Sequence, residues 1–281
     1  MLAIIRKENL AEGIKLFEIG APQIAAKARP GQFIILRIDE KGERIPLTIA
    51  DFDRDKGTLT LISQEVGRTT ADLSKMETGD KILDLVGPLG KASAIEKYGR
   101  VVCIGGGVGI APVYPITRAL KAAGNEVISI IGARTAEQLI LQEEMGAVSD
   151  HIYITSDDGS IGQEGFVTNV LARLLTDGVQ IDLIIAIGPL PMMESVSQTS
   201  RAYGVKTIVS MNPIMVDGTG MCGACRVAVG SETKFACVDG PEFDGHLVDW
   251  QLARSRSRMF LAEEKIAQNC SGGDCRCQKN G

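Results

Sequence analysis

From Gly99 onward the sequence alternates short apolar runs with stretches of helical pattern, and this alternation restricts the possible folds more than any other feature. Four apolar runs and two helical patterns occur there, the runs at residues 100–104, 126–131, 151–155 and 182–187 and the helical patterns at 115–123 and 167–175. Both faces of each run are apolar, so the strands must be covered on two sides. The alternation predicts an α/β domain with a doubly wound parallel sheet.

The chain before this point has a different pattern, in which short strands follow turn signals. Strand patterns span residues 32–37, 59–63 and 81–86, and each comes shortly after Pro-Gly, Lys-Gly or Gly-Asp. Strands and turns at this spacing predict an antiparallel β-barrel or sandwich. Since 281 residues exceed one small core, two or three domains are expected.

Composition and charge exclude several classes of function. The net charge of −5 leaves no basic face for nucleic acid. The apolar run within residues 1–7 is too short for a signal peptide, and no stretch approaches the roughly 20 apolar residues that a membrane span needs. We therefore expect a cytoplasmic protein with no membrane or nucleic-acid partner.

A glycine-rich segment joins the first apolar run of the α/β part to its first helix. Glycines at such a junction allow a tight turn and a close approach of the backbone to phosphate oxygens at a helix N-terminus. The spacing is not the G-x-G-x-x-G fingerprint, and no acidic residue ends the second strand, so the glycine run alone is a weak signal. The candidate nucleotide-binding residues are Gly105, Gly106, Gly107, Val108, Gly109, Ala111 and Pro112.

The later strands end in polar or glycine-rich loops, which would lie at the carboxyl edge where open α/β sheets bind ligands. Arg134 follows the second strand and fits an adenosine phosphate or ribose, although a solvated surface arginine fits the position equally well. Asp157 and Asp158 follow the third strand, where turn and cap residues are the default interpretation. With a predicted loop over residues 188–193, the candidates at this edge are Arg134, Asp157, Asp158, Gly188, Pro189 and Met192.

Two segments in the first 97 residues combine a cation, hydroxyls and glycine. Residues 44–48 place a cation and a hydroxyl on one strand, and by themselves they indicate only a strand edge. Residues 67–70 pair a glycine turn with two hydroxyls at the start of a helical stretch, which suits a phosphate. The candidates are Arg44, Pro46, Leu47, Thr48, Gly67, Thr69 and Thr70.

Six of the seven cysteines lie after residue 220, which indicates a local metal site rather than a disulfide framework. The run Asp217-x4-Cys222-x2-Cys225-x11-Cys237 has the spacing of a plant-type [2Fe–2S] loop with an aspartate in place of the first cysteine. Glycines around the Cys-x-x-Cys pair and a strand pattern after it disfavour a thioredoxin-like disulfide. Zinc stays open as an alternative, provided that a cysteine from the C-terminal tail completes its ligands.

Taken in order, these segments resemble the ferredoxin–NADP reductase superfamily, in which a nicotinamide-nucleotide domain follows a flavin-binding barrel. Residues 44–48 resemble the flavin motif, residues 67–70 the pyrophosphate loop, and Gly188-Pro189 with Met192 the segment near the nicotinamide. The resemblance implies a FAD-binding β-barrel over 1–97, an NAD(P)-binding α/β domain over 98–211, a [2Fe–2S] loop module over 212–250 and a helical, Cys-rich tail over 251–281.

Within this superfamily, a cluster loop after the nucleotide domain is similar to two subfamilies of electron-transfer subunit. One belongs to dihydroorotate dehydrogenase B and carries four cysteines. The other is the small subunit of NADH-dependent ferredoxin:NADP oxidoreductase, in which an aspartate replaces the first cysteine. Asp217 favours the second subfamily, and the first remains the alternative. A nucleotide-sensing scaffold with structural zinc is a third interpretation, and it predicts a colourless protein.

The resemblance implies an oxidoreductase subunit that binds FAD, a [2Fe–2S] cluster and NAD(H) or NADP(H), with FMN open as an alternative flavin. Hydride passes from nicotinamide to flavin N5 and electrons leave singly through the cluster, so no catalytic acid or base is expected. Its partner would be a larger flavin and iron–sulfur subunit in a heterodimer. Ferredoxin as a further partner, and electron bifurcation at the partner's flavin, follow from the same resemblance. The implied cluster ligands are Asp217, Cys222, Cys225 and Cys237.

Overall fold

The first part of the molecule is a six-stranded antiparallel sheet that closes on itself. The computed structural model describes residues 2–269. The elements of this part are β1 (Ile4–Ala11), β2 (Ile14–Gly20), α1 (Pro22–Ala25), β3 (Phe33–Arg37), β4 (Ile45–Asp53), β5 (Thr58–Gln64), α2 (Arg68–Lys75) and β6 (Asp84–Leu89). The strand order is β1-β2-β5-β4-β3-β6. The amide of Ile4 donates to Asp80 O and that of Ile82 donates to Leu2 O, both at 2.9 Å, so the segment before β6 joins β1 and closes a barrel.

The second part is a parallel sheet with helices on both faces. Its elements are β7 (Arg100–Gly106), α3 (Ile110–Ala122), β8 (Glu126–Ala133), α4 (Gln142–Ala147), β9 (His151–Ser156), β10 (Gln163–Glu164), α5 (Val167–Thr176), β11 (Leu183–Ile187), α6 (Leu190–Arg201) and β12 (Thr207–Ser210). Alternate residues of β7 enter different cores, since Val102 and Ile104 pack with α5 and α6 while Val101 and Cys103 pack with α3. Both faces are therefore buried, as the apolar runs predict.

The amphipathic pattern of α5 shows why the helices cover this sheet. Val167, Val170, Leu171, Leu174 and Leu175 are all buried, and their spacing places them on one face of the helix. Burying one such side chain contributes about 1.5–3 kcal/mol relative to leaving it in water. The predicted helix over 167–175 is therefore confirmed.

The chain after residue 210 adds a hairpin, one edge strand and two helices. These elements are β13 (Arg226–Val229), β14 (Glu232–Phe235), β15 (Glu242–Asp244), α7 (Trp250–Ser257) and α8 (Leu261–Asn269). The strand β15 pairs antiparallel with β12 and so extends the parallel sheet, whose order is β10-β9-β8-β7-β11-β12-β15. Asp249 begins α7 as its N-cap by accepting a hydrogen bond from the Leu252 amide at 2.9 Å. Residues 270–281 of the predicted Cys-rich tail lie outside the described residues.

Three sequence-based boundaries are wrong. The strand predicted at 81–86 begins only at Asp84, because residues 81–83 first pair with the start of the chain and then with Ile38. The loop predicted over 188–193 becomes helix α6 from Leu190, since prolines in a first turn lose no helical hydrogen bond. The helix predicted at 115–123 begins at Ile110, because Pro115 lies in the interior of the helix and not at its start.

The predicted combination of a barrel, a doubly wound sheet and a small cluster module is confirmed. Across residues 2–269, none of the helices has both the length and the apolar character that crossing a membrane requires.

Candidate functional site

The glycine-rich loop after β7 lies against the loop after β11, at the point where the strand order reverses direction. A Cβ atom on Gly106 would stand 2.3 Å from Met192 Sδ, and one on Gly109 would stand 2.3 Å from the carbonyl oxygen of Ile187. Gly188 is equally confined, with a Cβ position 2.8 Å from Met192 Cε. The structure thus brings the two predicted nucleotide segments into one crevice at the carboxyl edge of the sheet, where such folds bind ligands.

One side of the glycine loop is open. Gly107 has φ +56°, and a Cβ built on it would meet no atom within 4 Å. Helix α3 begins at Ile110 directly behind the loop, so its unpaired N–H groups and dipole favour an anion there. Ala111 is buried and Pro112 is half-buried in the first turn of this helix. The loop is therefore shaped to admit a phosphate group beside Gly107.

The loops after β8 and β9 are joined by main-chain hydrogen bonds. The amide of Asp157 donates to Ala133 O at 3.2 Å, and the amide of Asp158 donates to Arg134 O at 3.3 Å. The carboxylate of Asp158 accepts from the Ser160 hydroxyl and amide, and these bonds lower its pKa. Asp158 thus shapes a turn, while the side chains of Arg134 and Asp157 are exposed at the carboxyl edge.

In the barrel, the first half of β4 has a free edge. Pro46 lies opposite Ile35 and Thr48 lies opposite Phe33 in β3, whereas β5 pairs with β4 only from Ile49 onward. Pro46 has no amide proton to pair on that free side. The half-buried Leu47 continues this segment. Arg44, which is exposed, stands just before it, so a cation, a hydroxyl and an unpaired strand edge adjoin one another.

The predicted pyrophosphate loop at the start of α2 lies beside the same segment. The hydroxyl of Thr69 donates to Glu43 Oε2 at 3.2 Å, next to Arg44 in the chain. The hydroxyl of Thr70 accepts from the Gly67 amide at 3.0 Å and donates back to the Gly67 carbonyl. Thr70 therefore caps the helix, and Thr69 connects the two predicted flavin segments.

The cluster loop is shaped by glycines that no other residue could replace without strain. Gly218 has φ +75° and a Cβ position 2.6 Å from Leu89 Cδ1, and Gly220 has φ +84° with Val238 Cγ2 at 3.0 Å. The turn aims amide groups inward. The Asp217 carboxylate accepts from the amides of Thr219 at 2.8 Å and Cys222 at 3.0 Å, and these bonds hold its pKa below the ordinary value.

The four predicted cluster ligands form two pairs. The Sγ atoms of Cys225 and Cys237 lie 3.2 Å apart, and both residues are buried. Burial, reinforced by Cys225, raises the pKa of the Cys237 thiol to about 12. Cys222 is exposed, and its side chain interacts with the Asp217 carboxylate. Among residues 2–269, no three His, Cys, Asp or Glu side chains converge as ligands of a single metal ion.

Two pairs of ligands fit a [2Fe–2S] cluster. Each tetrahedral iron takes two bridging sulfides, which leaves two positions for protein ligands. Two thiolates on one tetrahedral metal at about 2.3 Å lie roughly 3.8 Å apart, close to the separation of Cys225 and Cys237. The pair Asp217 and Cys222 would hold the other iron.

The cluster loop lies directly on the barrel. A Cβ on Gly218 would stand 3.1 Å from Ile35 Cγ1, and Ile35 is the β3 residue opposite Pro46. The amide of Lys91, just after β6, donates to Gly240 O at 2.6 Å. The strands β4 and β3 therefore lie between the free edge of β4 and the predicted cluster loop.

Sequence reasoning missed Glu242, a half-buried residue at the junction of all three parts. Its Oε1 accepts a hydrogen bond from the Ser93 hydroxyl beside Gly31 of the barrel, and its strand β15 pairs with β12. Removal of the carboxyl group from water raises its pKa, and the bond from Ser93 opposes this shift. No local pattern marks Glu242, because its neighbours come from distant parts of the chain.

Glu242→Gln is expected to reduce the pH dependence of stability. The folded state holds the Glu242 proton more tightly than the unfolded chain does, so protonation of Glu242 stabilises the fold. This stabilisation is fully present below pH 4.5, and it is lost as the pH rises through the raised pKa of Glu242 in the folded state. Glutamine keeps an acceptor for Ser93 and does not ionise. We expect the wild-type Tm to fall by a few degrees relative to the variant between pH 4.5 and neutrality, as measured by calorimetry.

The control is Glu12→Gln, which makes the same substitution at an exposed residue that takes no part in the hydrogen bond between Ser93 and Glu242. Superimposable profiles for wild type and Glu242→Gln would contradict the assignment. Other groups with shifted pKa values titrate outside the range from pH 4.5 to neutrality. The pKa values of Asp53, Asp150, Asp158 and Asp217 are lowered below 3.8, and those of the Cys103 and Cys237 thiols are raised to about 12.

Comparisons with known proteins agree with this geometry. Residues 212–249 match the model for the iron–sulfur cluster binding domain of dihydroorotate dehydrogenase B, and residues 103–198 match the oxidoreductase NAD-binding domain. A dihydroorotate dehydrogenase B electron transfer subunit homolog from Thermotoga maritima is 49% identical over 94% of this chain and 93% of its own. The electron transfer subunit of dihydroorotate dehydrogenase B from Geobacillus thermodenitrificans is 31% identical over 86% of this chain and 95% of its own.

A solved structure of the NADH-dependent reduced ferredoxin-NADP oxidoreductase, described for its flavin-based electron bifurcation, contains a chain with the same fold. That chain superposes with a TM-score of 0.91 and 48% identity, over 96% of this chain and 97% of its own. The protein therefore belongs to the family of ferredoxin–NADP reductase-type electron-transfer subunits that includes those of dihydroorotate dehydrogenase B, and it is an oxidoreductase subunit that uses FAD, NAD(H) and a [2Fe–2S] cluster.

Proposed function

We propose that this chain moves electrons between NAD(H), FAD and a [2Fe–2S] cluster and delivers them to a larger partner subunit, as part of an NADH-dependent ferredoxin:NADP oxidoreductase. The observation that carries the proposal is the position of Ile35, which lies opposite Pro46 on one side and against Gly218 of the cluster loop on the other. Only the neighbouring strands β4 and β3 would separate a flavin along the free edge of β4 from the cluster loop.

The residues of this chain act by binding and orientation. A flavin held here would supply the conversion of two-electron hydride transfer into one-electron transfer. Arg44 and Thr48 are placed to hold the flavin, and the loop from Gly105 to Gly109 is placed to hold dinucleotide phosphates. Hydride transfer needs no side-chain acid or base. Accordingly, His246 bonds to Ser200 Oγ at 3.0 Å, away from the crevice between β7 and β11.

An exposed apolar surface around the cluster loop supports a larger partner. Met221, next to Cys222, is 89% exposed, and Val216, Val238 and Ile214 on the same loop and its neighbour are 37–47% exposed. Val238 adjoins Gly220 of the cluster loop, and apolar side chains exposed in one region of the surface are typical of interaction sites on soluble proteins. We place the larger flavin and iron–sulfur subunit there, with ferredoxin as the external carrier of the assembly.

The alternative is the electron-transfer subunit of dihydroorotate dehydrogenase B. The cluster-domain match and the names of several relatives favour it. Asp217 in place of a first cysteine, together with the similarity to the ferredoxin-NADP oxidoreductase chain, favours the main proposal. No disulfide forms among the cysteines of residues 2–269, which supports our proposal of a reducing, cytoplasmic location.

Anaerobic assays of the complex purified from its source separate these two functions. We expect NADH to bleach the flavin and reduce the cluster, and we expect the complex to couple reduced ferredoxin and NADH to NADP reduction. Turnover of dihydroorotate instead would establish the alternative. A chain that purifies alone with full ferredoxin-dependent activity, or that contains zinc without iron and acid-labile sulfide, would contradict both.

Asp217→Cys is expected to keep the cluster and to change its midpoint potential by on the order of 50 mV or more, because a soft thiolate replaces a hard carboxylate at one iron. Redox titration followed by electron paramagnetic resonance measures the change. Asp217→Asn is the matched control. Asparagine keeps an acceptor for the amides of Thr219 and Cys222 but is a poor iron ligand, so this variant should bind the cluster less stably. An unchanged potential in Asp217→Cys would show that Asp217 is not a ligand.

A further inference from the structure

Two arginines donate hydrogen bonds to the main chain of the cluster loop from outside it. Arg226 Nη1 donates to the carbonyl oxygen of Gly223 at 2.9 Å, and Arg256 Nη2 donates to that of Ala224 at 2.9 Å. These two carbonyls belong to the turn between Cys222 and Cys225. Two of the three peptide units between Cys222 and Cys225 thus have a carbonyl that accepts from a guanidinium group.

Arg256 reaches the loop from helix α7, which is 32 positions further along the chain. The helix is anchored independently of the loop, since Asp249 caps its start and Trp250 Nε1 donates to Gly245 O at 3.0 Å. Arg254, two residues before Arg256 in the same helix, forms an ion pair with Glu194 of α6 instead. Two arginines of the same helix therefore have different environments.

The charge of the two loop-contacting arginines is not neutralised by an ion pair. In the described part of the chain, the salt bridges include Arg254 with Glu194 but none at Arg226 or Arg256. The Nε of Arg256 is buried and finds no hydrogen-bond partner among residues 2–269. Because Arg256 is half-buried, water screens its charge less than it screens the charge of a fully exposed side chain.

We propose that Arg256 and Arg226 are positioning residues that raise the reduction potential of the cluster. Reduction adds one negative charge, and two nearby cations stabilise that charge. Their hydrogen bonds also polarise the peptide units of Gly223 and Ala224, which strengthens the amide groups of this turn as donors. Hydrogen bonds and net charge around a cluster are among the factors that set its potential. The proposal rests on cluster binding by this loop.

The test is a redox titration of Arg256→Gln in the purified full chain, read by electron paramagnetic resonance after iron and acid-labile sulfide have been measured. At a fixed solution potential, we expect the ratio of reduced to oxidised cluster to fall about tenfold, which for one electron corresponds to a midpoint about 59 mV lower. Arg254→Gln is the matched control, because it removes the same charge from the same helix without touching the loop, and its potential should equal that of wild type.

Two more variants distinguish an effect of the arginine charge on the potential from a loss of the folded cluster loop. Arg226→Gln removes an exposed side chain, so it should preserve cluster content and lower the potential in the same direction even if Arg256→Gln loses its cluster. Arg256→Lys keeps the charge and should recover most of the shift. Wild-type potentials in both Gln variants, or an equal shift in Arg254→Gln, would overturn the proposal. Absence of iron and sulfide from the wild-type chain would instead refute cluster binding itself.

Discussion

Cys225→Ser is expected to reduce the iron and acid-labile sulfide content of the purified protein to less than about one-tenth of the wild-type content. Cys225 and Cys237 are both buried, and their sulfur atoms lie 3.2 Å apart, so the loss of one thiolate leaves one iron with a single protein ligand. NADH should still reduce the flavin, whereas electron transfer to one-electron acceptors through the cluster should be lost. Metal analysis, visible spectra and the two assays measure these effects.

Cys103→Ala is the matched control. Cys103 is as deeply buried as Cys225, but it lies on β7 in the apolar core of the nucleotide domain, away from the cluster loop. Burial raises the pKa of its thiol to about 12. A small apolar residue replaces it without loss of a ligand, so cluster content and both activities should be retained. A wild-type cluster in Cys225→Ser, or a lost cluster in Cys103→Ala, would contradict the assignment of the ligands.

Gly109→Ala is expected to destabilise the nucleotide domain by about 3 kcal/mol and to weaken NADH binding by about tenfold or more. The added methyl group would stand 2.3 Å from the carbonyl oxygen of Ile187 and 2.7 Å from Gly188 Cα. Both are main-chain atoms of the facing loop, which cannot rotate away as a side chain would. Chemical denaturation and a titration of NADH followed by flavin reduction measure the two effects.

Gly146→Ala is the control for this substitution. Gly146 lies in α4 of the same domain, and a Cβ built there meets no atom within 4 Å. Alanine in such a helical position reduces the entropy of the unfolded chain, so stability should rise by about 0.4–1 kcal/mol with unchanged NADH binding. Equal stability of Gly109→Ala and wild type would show that the two loops are not held together as described.

Elements with strong local patterns were predictable from the sequence. Local periodicity of apolar residues predicts the strands β7, β8, β9 and β11 and the helix over 167–175. The cluster spacing was equally legible, because its ligands lie within 21 residues of one another. Boundaries were less predictable. The start of β6 at Asp84 depends on which partner residues 81–83 pair with, and no local signal records that choice.

Contacts between distant segments were not predictable. Three side-chain hydrogen bonds join residues that are 26 to 149 positions apart in the chain. They link Thr69 with Glu43, Ser93 with Glu242, and Arg256 with Ala224. Each of these polar residues has an ordinary sequence neighbourhood. The pairing of β15 with β12, which attaches the cluster module to the nucleotide sheet, is of the same kind.

The sequence by itself determined the classes of element, the two nucleotide loops and the four candidate cluster ligands, because periodicity, glycine placement and cysteine spacing are local properties of the chain. Only the tertiary structure decided which distant residues contact one another. It places Gly106 against Met192, and it places Ile35 between Pro46 and the cluster loop. It also brings Arg226 and Arg256 to the turn between Cys222 and Cys225. These arrangements result from the packing of a barrel, a sheet and a helix against one another. Since that packing is cooperative and long-range, no single segment of the sequence specifies it.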